Sequence, residues 1–218
     1  MPSTIWLARH AQTTWNLAGR YQGRMESALS ALGIRQAFAL ADRFSEALAH
    51  DETVPARIVS SPLLRCRATA LITASRLGIE LESDERLIEI AHGTWDGRYR
   101  DEIAAHDPQR YRTWRHDPVH AAFEGGETLL QVAARWTAFA ADLATWSDPT
   151  LVVTHDAVVR CALVALQARS LDDFWQVPVE NAAFALVTRA ADGELTLREP
   201  CVADHLAGVR ADTATQAL

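Results

Sequence analysis

Apolar and polar residues follow two rhythms along this chain. Short solid apolar runs bounded by polar residues predict buried strands, and apolar residues recurring every three to four positions predict helices packed on them. Thr4 to Ala8 is the first such run, and it delivers Arg9 and His10 to its C-terminal end. Turn-like residues including Gly19 and Gly23 then lead to Ser30. Ser30 is placed as the N-cap of a helix to about Leu48, with Ile34, Ala37, Phe38, Ala41, Phe44 and Leu48 at helical spacing. Ala56 to Ser60 reads as a second strand. Pro62 is expected at the first position of a helix that runs to about Leu77 and stops at Gly78.

Farther on, residues 80–98 predict a short strand followed by an irregular loop, and His106-Asp107-Pro108 and His116-Asp117-Pro118 punctuate two short helices. A long helix is expected from about Thr128 to Trp146, after Gly125-Gly126-Glu127. Leu151 to Thr154 is the clearest buried strand; His155 ends it, and a helix from Ala157 to Ala168 follows. Ala182 to Arg189 and Glu194 to Glu199 form two strands around an Asp192-Gly193 turn. Beyond Leu206 the residues are small and polar, and 206–218 is expected to be a flexible tail.

Strands alternating with amphipathic helices predict an α/β fold, a three-layer αβα sandwich around a mainly parallel sheet. In such sheets ligands bind beyond the carboxyl ends of the strands. Arg9 and His10 end one strand, His155 ends another, and Arg65 lies in the first turn of the helix after a third, so four basic side chains converge on one edge.

Composition narrows the picture. The 218 residues are 49% hydrophobic and 22% charged, which suits one globular domain over 1–205 with a small helical lid insert around 96–127. A net charge of −7 argues against nucleic acid as a partner, and it requires a local basic pocket for any anionic substrate. Cys66, Cys161 and Cys201 fit neither a disulfide framework nor a metal-ligand spacing. With no signal-peptide pattern and no apolar run of about 20 residues, a cytoplasmic setting without membrane attachment is expected.

The converging residues suit a phosphate monoester. Arg9 and Arg65 can offer bidentate forks, and a helix N-terminus adds backbone N–H donors. Neutral imidazole is abundant near pH 7, so His10 can attack phosphorus without a general base. A partly buried carboxylic acid must protonate the leaving oxygen and later deprotonate water; Glu89 is the candidate, with Asp84, Glu85 and Asp96 as nearby competitors. His116, Asp117 and His120 do not make a metal site, because Pro118 breaks the helical spacing and no third ligand lies at useful distance; His92 and His106 are read the same way. Cys66 is either oxidation-prone beside Arg65 or a small packing residue. Trp95 and Trp114 fall in the insert, where one of them can meet the body of a substrate.

Arg9-His10-Ala11-Gln12-Thr13-Thr14-Trp15-Asn16 resembles the Arg-His-Gly signature of the histidine phosphatase superfamily, the phosphoglycerate-mutase-like enzymes. The resemblance continues through Gly19 to Gly23, Leu29 to Gly33, Ser60 to Ala70, Arg86 to Gly97, Gly125 to Glu127 and Val152 to His155. It implies a phosphoglycerate-mutase-like fold, a phosphohistidine on His10, a phosphoryl group held by Arg9, Arg65 and His155, and Glu89 as proton donor. It also implies that Asn16, Gln22 and Gly23 line the same pocket, and that neither metal nor cofactor takes part.

Two positions depart from that pattern: Ala11 and Asp156 stand where the family usually has glycine. Ala11 is strained only if its backbone needs positive φ. Asp156 would repel a phosphate or hold His155 protonated, unless it caps the helix from Ala157 and turns away, which the local pattern favours. The expected activity is hydrolysis of a small phosphorylated metabolite by a metal-independent phosphomonoesterase. A cofactor-dependent mutase is the alternative, against which stand Ile90 after Glu89 and the short insert to Gly125. A phospho-ligand binding module without turnover is the third reading, and the missing Gly-x-Ser-x-Gly elbow disfavours a serine hydrolase. Homodimerisation is expected only from the frequency of twofold assemblies.

Overall fold

The computed structural model describes residues 2–213, 216 and 217. Six strands form one sheet in the order β3-β2-β4-β1-β5-β6. They are β1 (Ser3–Arg9), β2 (Arg57–Ser60), β3 (Leu81–Ser83), β4 (Thr150–Thr154), β5 (Phe184–Arg189) and β6 (Leu195–Val202). β1, β2, β3 and β4 run parallel, while β5 is antiparallel to β1 and β6 to β5. The mainly parallel α/β sheet is as expected, with the final hairpin added along one edge.

Alternation along the strands assigns the two faces. Ile5, Leu7 and Val152 join one core with Trp136, Phe139 and Val158, from α6 (Leu129–Leu143) and α7 (Asp156–Leu166). Trp6, Ala8, Leu151 and Val153 join the other with Leu40, Phe44 and Cys66, from α2 (Ala31–Ala49) and α3 (Leu64–Leu77). The remaining helices are the single turn α1 (Thr14–Leu17) and the short α4 (Arg100–His106) and α5 (Pro108–His116).

Local signals account for most boundaries. The Ser30 hydroxyl accepts from the Gly33 amide, and Gly78 ends α3 in the left-handed region at φ 68°. Pro62, however, lies before the helix: Leu63 is the N-cap and α3 starts at Leu64. The helix expected from Ala157 starts one residue earlier, with His155 as N-cap and Asp156 inside the first turn.

Of the tail expected to be flexible, 206–218, positions 214, 215 and 218 lie outside the described residues, and several of the others are packed. Leu206 is fully buried, and Gln216 and Ala217 are 4% and 3% exposed. The reason is polar as well as apolar: the Gln216 side chain finds partners on β1 and on the loop before β5, described below.

Candidate active site

The register between parallel strands brings the basic residues together. Arg9 pairs with Thr154, so His10 and His155 leave β1 and β4 side by side, and the His10 amide donates to the Thr154 carbonyl at 2.9 Å. Their rings meet edge to face with centroids 5.3 Å apart. Arg65, in the first turn of α3, donates from Nε to His155 Nδ1 at 3.2 Å. A cavity between these residues and the following loops is lined by His10, Gln22, Gly23 and Glu89, with Ile90, His92, Trp114 and Phe174 opposite. Arg9, Asn16, Arg65 and His155 do not line it, although Arg65 bonds to the lining residue Gly23, Arg9 lies 3.3 Å from the lining residue Asp156, and the His155 ring meets that of His10.

The hydrogen bonds of His10 identify its tautomer. Nδ1 lies 2.8 Å from the Ala11 carbonyl oxygen, which can only accept, so Nδ1 carries the proton and Nε2 keeps a lone pair. Burial, reinforced by Arg65 and Arg9, pulls the His10 pKa well below that of a free histidine. The ring is therefore neutral and nucleophilic. His155 is pulled down in the same way, first by burial and then by Arg65. Since His155 Nδ1 accepts from Arg65, its Nε2 carries the proton and donates to Ser61 Oγ at 2.7 Å.

Arg65 is anchored by backbone: NH2 donates to the Gly23 carbonyl at 2.7 Å and NH1 to that of Met25 at 3.0 Å. Gly23 is required here, because its φ is +47° and a Cβ would collide with the Asp96 carboxylate. Arg9 is fully buried; NH2 donates to Gln216 Oε1 at 2.8 Å, while Nε and NH1 have no aligned partner. The Asn16 Oδ1 accepts from the Thr13 amide and hydroxyl, which leaves its buried Nδ2 unpartnered. Gln22 likewise commits its Oε1, to the hydroxyls of Thr13 and Ser27. The site thus gathers buried N–H donors that its own residues do not satisfy, as anion binding requires.

Among the carboxylates near residue 89, Glu89 alone lines the cavity. Burial raises its pKa, against the opposing pull of Arg65, and Oε1 accepts from the Ile90 amide at 2.9 Å. Glu85 is exposed, Asp84 is bound by Arg86, and Asp96 accepts from the His92 amide. A neutral nucleophile beside a carboxyl group biased toward its protonated form can carry out acid-assisted displacement at phosphorus.

The two departures resolve differently. Ala11 is buried without positive φ, and its amide donates to Thr69 Oγ1 at 3.0 Å, so the methyl is accommodated. Asp156 does not cap the helix or turn away. It lines the cavity, bonded to Arg160 and 3.3 Å from Arg9. Cys66 is fully buried, and burial pushes its thiol far up, so it is the packing residue and not a reactive one. Of the two tryptophans, Trp114 reaches the cavity while Trp95 is core. Among the described residues no cluster of three or more His, Cys, Asp or Glu is arranged to hold a metal, and His120 pairs with Asp117 at 2.7 Å on the surface. No helix there is long and apolar enough to cross a membrane.

Sequence reasoning missed three residues. His92, read as a loop residue, is 3% exposed, lines the cavity, and has no hydrogen-bond partner on either ring nitrogen. Gln216 bridges Arg9 and Asn181, donating from Nε2 to Asn181 Oδ1 at 2.7 Å. Asn181 in turn donates to the His10 carbonyl at 3.1 Å. Nothing in a small, polar C-terminal stretch signals that contact; the lone His92, only three residues past Glu89, was the one available clue.

The family model of the histidine phosphatase superfamily (branch 1) matches residues 5–199. The chain is 35% identical to phosphoserine phosphatase 1 of Hydrogenobacter thermophilus, over 83% of its own length and 84% of that protein. It is 34% identical to glucosyl-3-phosphoglycerate phosphatase of Mycobacterium tuberculosis, covering 73% of each. Among solved structures, Bacillus stearothermophilus YhfR superposes with a TM-score of 0.83 at 29% identity, over 94% of this chain and 99% of that one.

Proposed function

The chain belongs to the histidine phosphatase superfamily, and from that premise we propose that it hydrolyses a small phosphorylated metabolite through a phosphohistidine on His10, without metal or cofactor. One observation carries this reading: a neutral His10 whose Nε2 is free, facing a cavity it shares with a Glu89 carboxyl of raised pKa.

The sequence of steps follows. The phosphate enters against Arg9, Arg65 and His155, with the Asn16 and Gln22 amides as further donors. His10 Nε2 attacks phosphorus, the P–O ester bond breaks, and the leaving oxygen takes the Glu89 proton. In the second step the Glu89 carboxylate removes a proton from water. The resulting oxygen attacks phosphorus, the P–N bond breaks, and inorganic phosphate leaves with His10 neutral and Glu89 reprotonated. The 96–127 insert, whose Trp114 reaches the cavity wall, serves as the lid.

The test is a phosphate-release assay with chelator present. The panel holds p-nitrophenyl phosphate, O-phosphoserine, glucosyl-3-phosphoglycerate and the phosphoglycerates. Turnover is expected, and His10→Ala should lower it by roughly four orders of magnitude. Interconversion of phosphoglycerates with little phosphate release would identify a mutase. Vanadate binding without turnover would identify a binding module, and inactivation by the chelator would overturn the metal-free mechanism.

A further inference from the structure

Asp156 carries a charge that the chemistry above leaves unused. It is 1% exposed and lines the cavity alongside His10 and Glu89. Its Oδ2 accepts from Arg160 Nε at 2.6 Å, and Arg160 is itself fixed by donating from NH1 to the Val177 carbonyl at 2.6 Å. One carboxylate oxygen is thereby anchored, which turns the other toward Arg9. That oxygen, Oδ1, lies 3.3 Å from Arg9 NH1, out of line for a hydrogen bond and with no other hydrogen-bond partner.

Resting on the phosphatase reading of this site, we propose that Asp156 is a built-in counter-ion: it neutralises Arg9 while the cavity is empty and competes with the phosphate dianion for that guanidinium, so that phosphate is held less tightly.

Three features support this role. Arg9 is fully buried, and its one aligned side-chain partner, Gln216, is uncharged. A buried cation without a counter-charge is strongly unfavourable, and Arg160 and Arg65 add repulsion. Second, the contact is misaligned. A forked, fully bonded Arg–carboxylate pair would use up the N–H donors, whereas here Nε and NH1 stay available to a phosphate oxygen. Third, the carboxylate's influence falls on the reacting groups: it favours the protonated form of Arg9 and pushes Glu89 toward its neutral acid form. Asp156 touches no substrate in the chemical steps, so it acts through Arg9 as a positioning and charge-balancing residue.

The experiment measures binding of orthovanadate and inorganic phosphate by calorimetry, at fixed pH and ionic strength, in the wild type and in Asp156→Asn. Removing the competing charge should tighten both ligands by about tenfold and lower KM for p-nitrophenyl phosphate in parallel. Unchanged or weaker binding would overturn the proposal. If Asp156→Asn does not fold, Asp156→Ser carries the same expectation. Arg160→Gln supplies the opposite sign: the carboxylate loses its anchor, acts on Arg9 alone, and should weaken both ligands. A shift of both kinds of variant in one direction would also overturn it, since that is what simple damage produces. Calorimetry reads binding without turnover. A protein that releases no phosphate would therefore refute the phosphatase reading, while the counter-ion comparison would stand or fall on its own.

Discussion

The basic wall of the cavity comes from the ends of β1 and β4 and the start of α3, whose backbones are bonded in register, whereas the aromatic wall comes from connecting segments held by side-chain packing. On the first, two donor nitrogens of Arg9 stay unmet although the residue is fully buried. On the second, Trp114 packs edge-on against Phe123 and Trp175 with centroids 5.2 and 5.1 Å apart, and its carbonyl accepts from Trp175 Nε1 at 2.7 Å. One wall gives up stability to stay ready for an anion; the other gains stability by burial. Activity and folding should therefore respond separately to changes in the two walls.

The largest expected effect falls at Glu89, which shares the cavity with His10 of the basic wall. Glu89→Gln should lower kcat by roughly 10²–10⁴-fold with KM and folding little altered, measured by steady-state kinetics and urea unfolding. A variant that merely raised KM would erase the distinction between the walls. Next comes the aromatic side, where Trp114→Ala should cost about 3–5 kcal/mol in equilibrium unfolding. A loss of activity at full stability would instead assign Trp114 to the chemistry.

The smallest effect is a pH dependence of stability. His10 and His155 have lowered pKa values in the folded state, so below about pH 6.5 the unfolded chain binds more protons and stability falls on acidification. The slope reaches up to about 1.4 kcal/mol per pH unit for each histidine. Glu89 opposes it: its raised folded pKa lets the native state take up a proton first as the pH falls. Urea unfolding between pH 7 and 5 should accordingly show a shallower acid loss in His10→Asn and a steeper one in Glu89→Gln. An acid loss left unchanged by His10→Asn would show that His10 is not buried as described.

How much of this was readable in the chain divides along the same line. Arg9, His10 and His155 lie at the ends of solid apolar runs, and Arg65 just after one, so local pattern alone brought them to one sheet edge. Glu89 needed only its distance from a third strand. Asp156 was misjudged because an acidic residue at a helix start usually caps it, and a shift of one residue moves that side chain from the helix end into the cavity. Gln216 was unreadable because its contact with Arg9 spans 207 positions and has no local signature. His92 was visible as a residue but not as a cavity wall, since its burial depends on Tyr21 and Phe123 arriving from elsewhere.

The placement of β1 bears on how this protein fails. Paired on both sides, with the His10 amide tied to Thr154 and the Arg9 amide to Ala183, the backbone at His10 has no frayed edge from which to open. In hydrogen-exchange terms those amides belong with the slowest set, which exchange only when the whole sheet comes apart. Heating should therefore leave His10 in place until the cooperative transition, so that inactivation and global melting coincide instead of proceeding in stages.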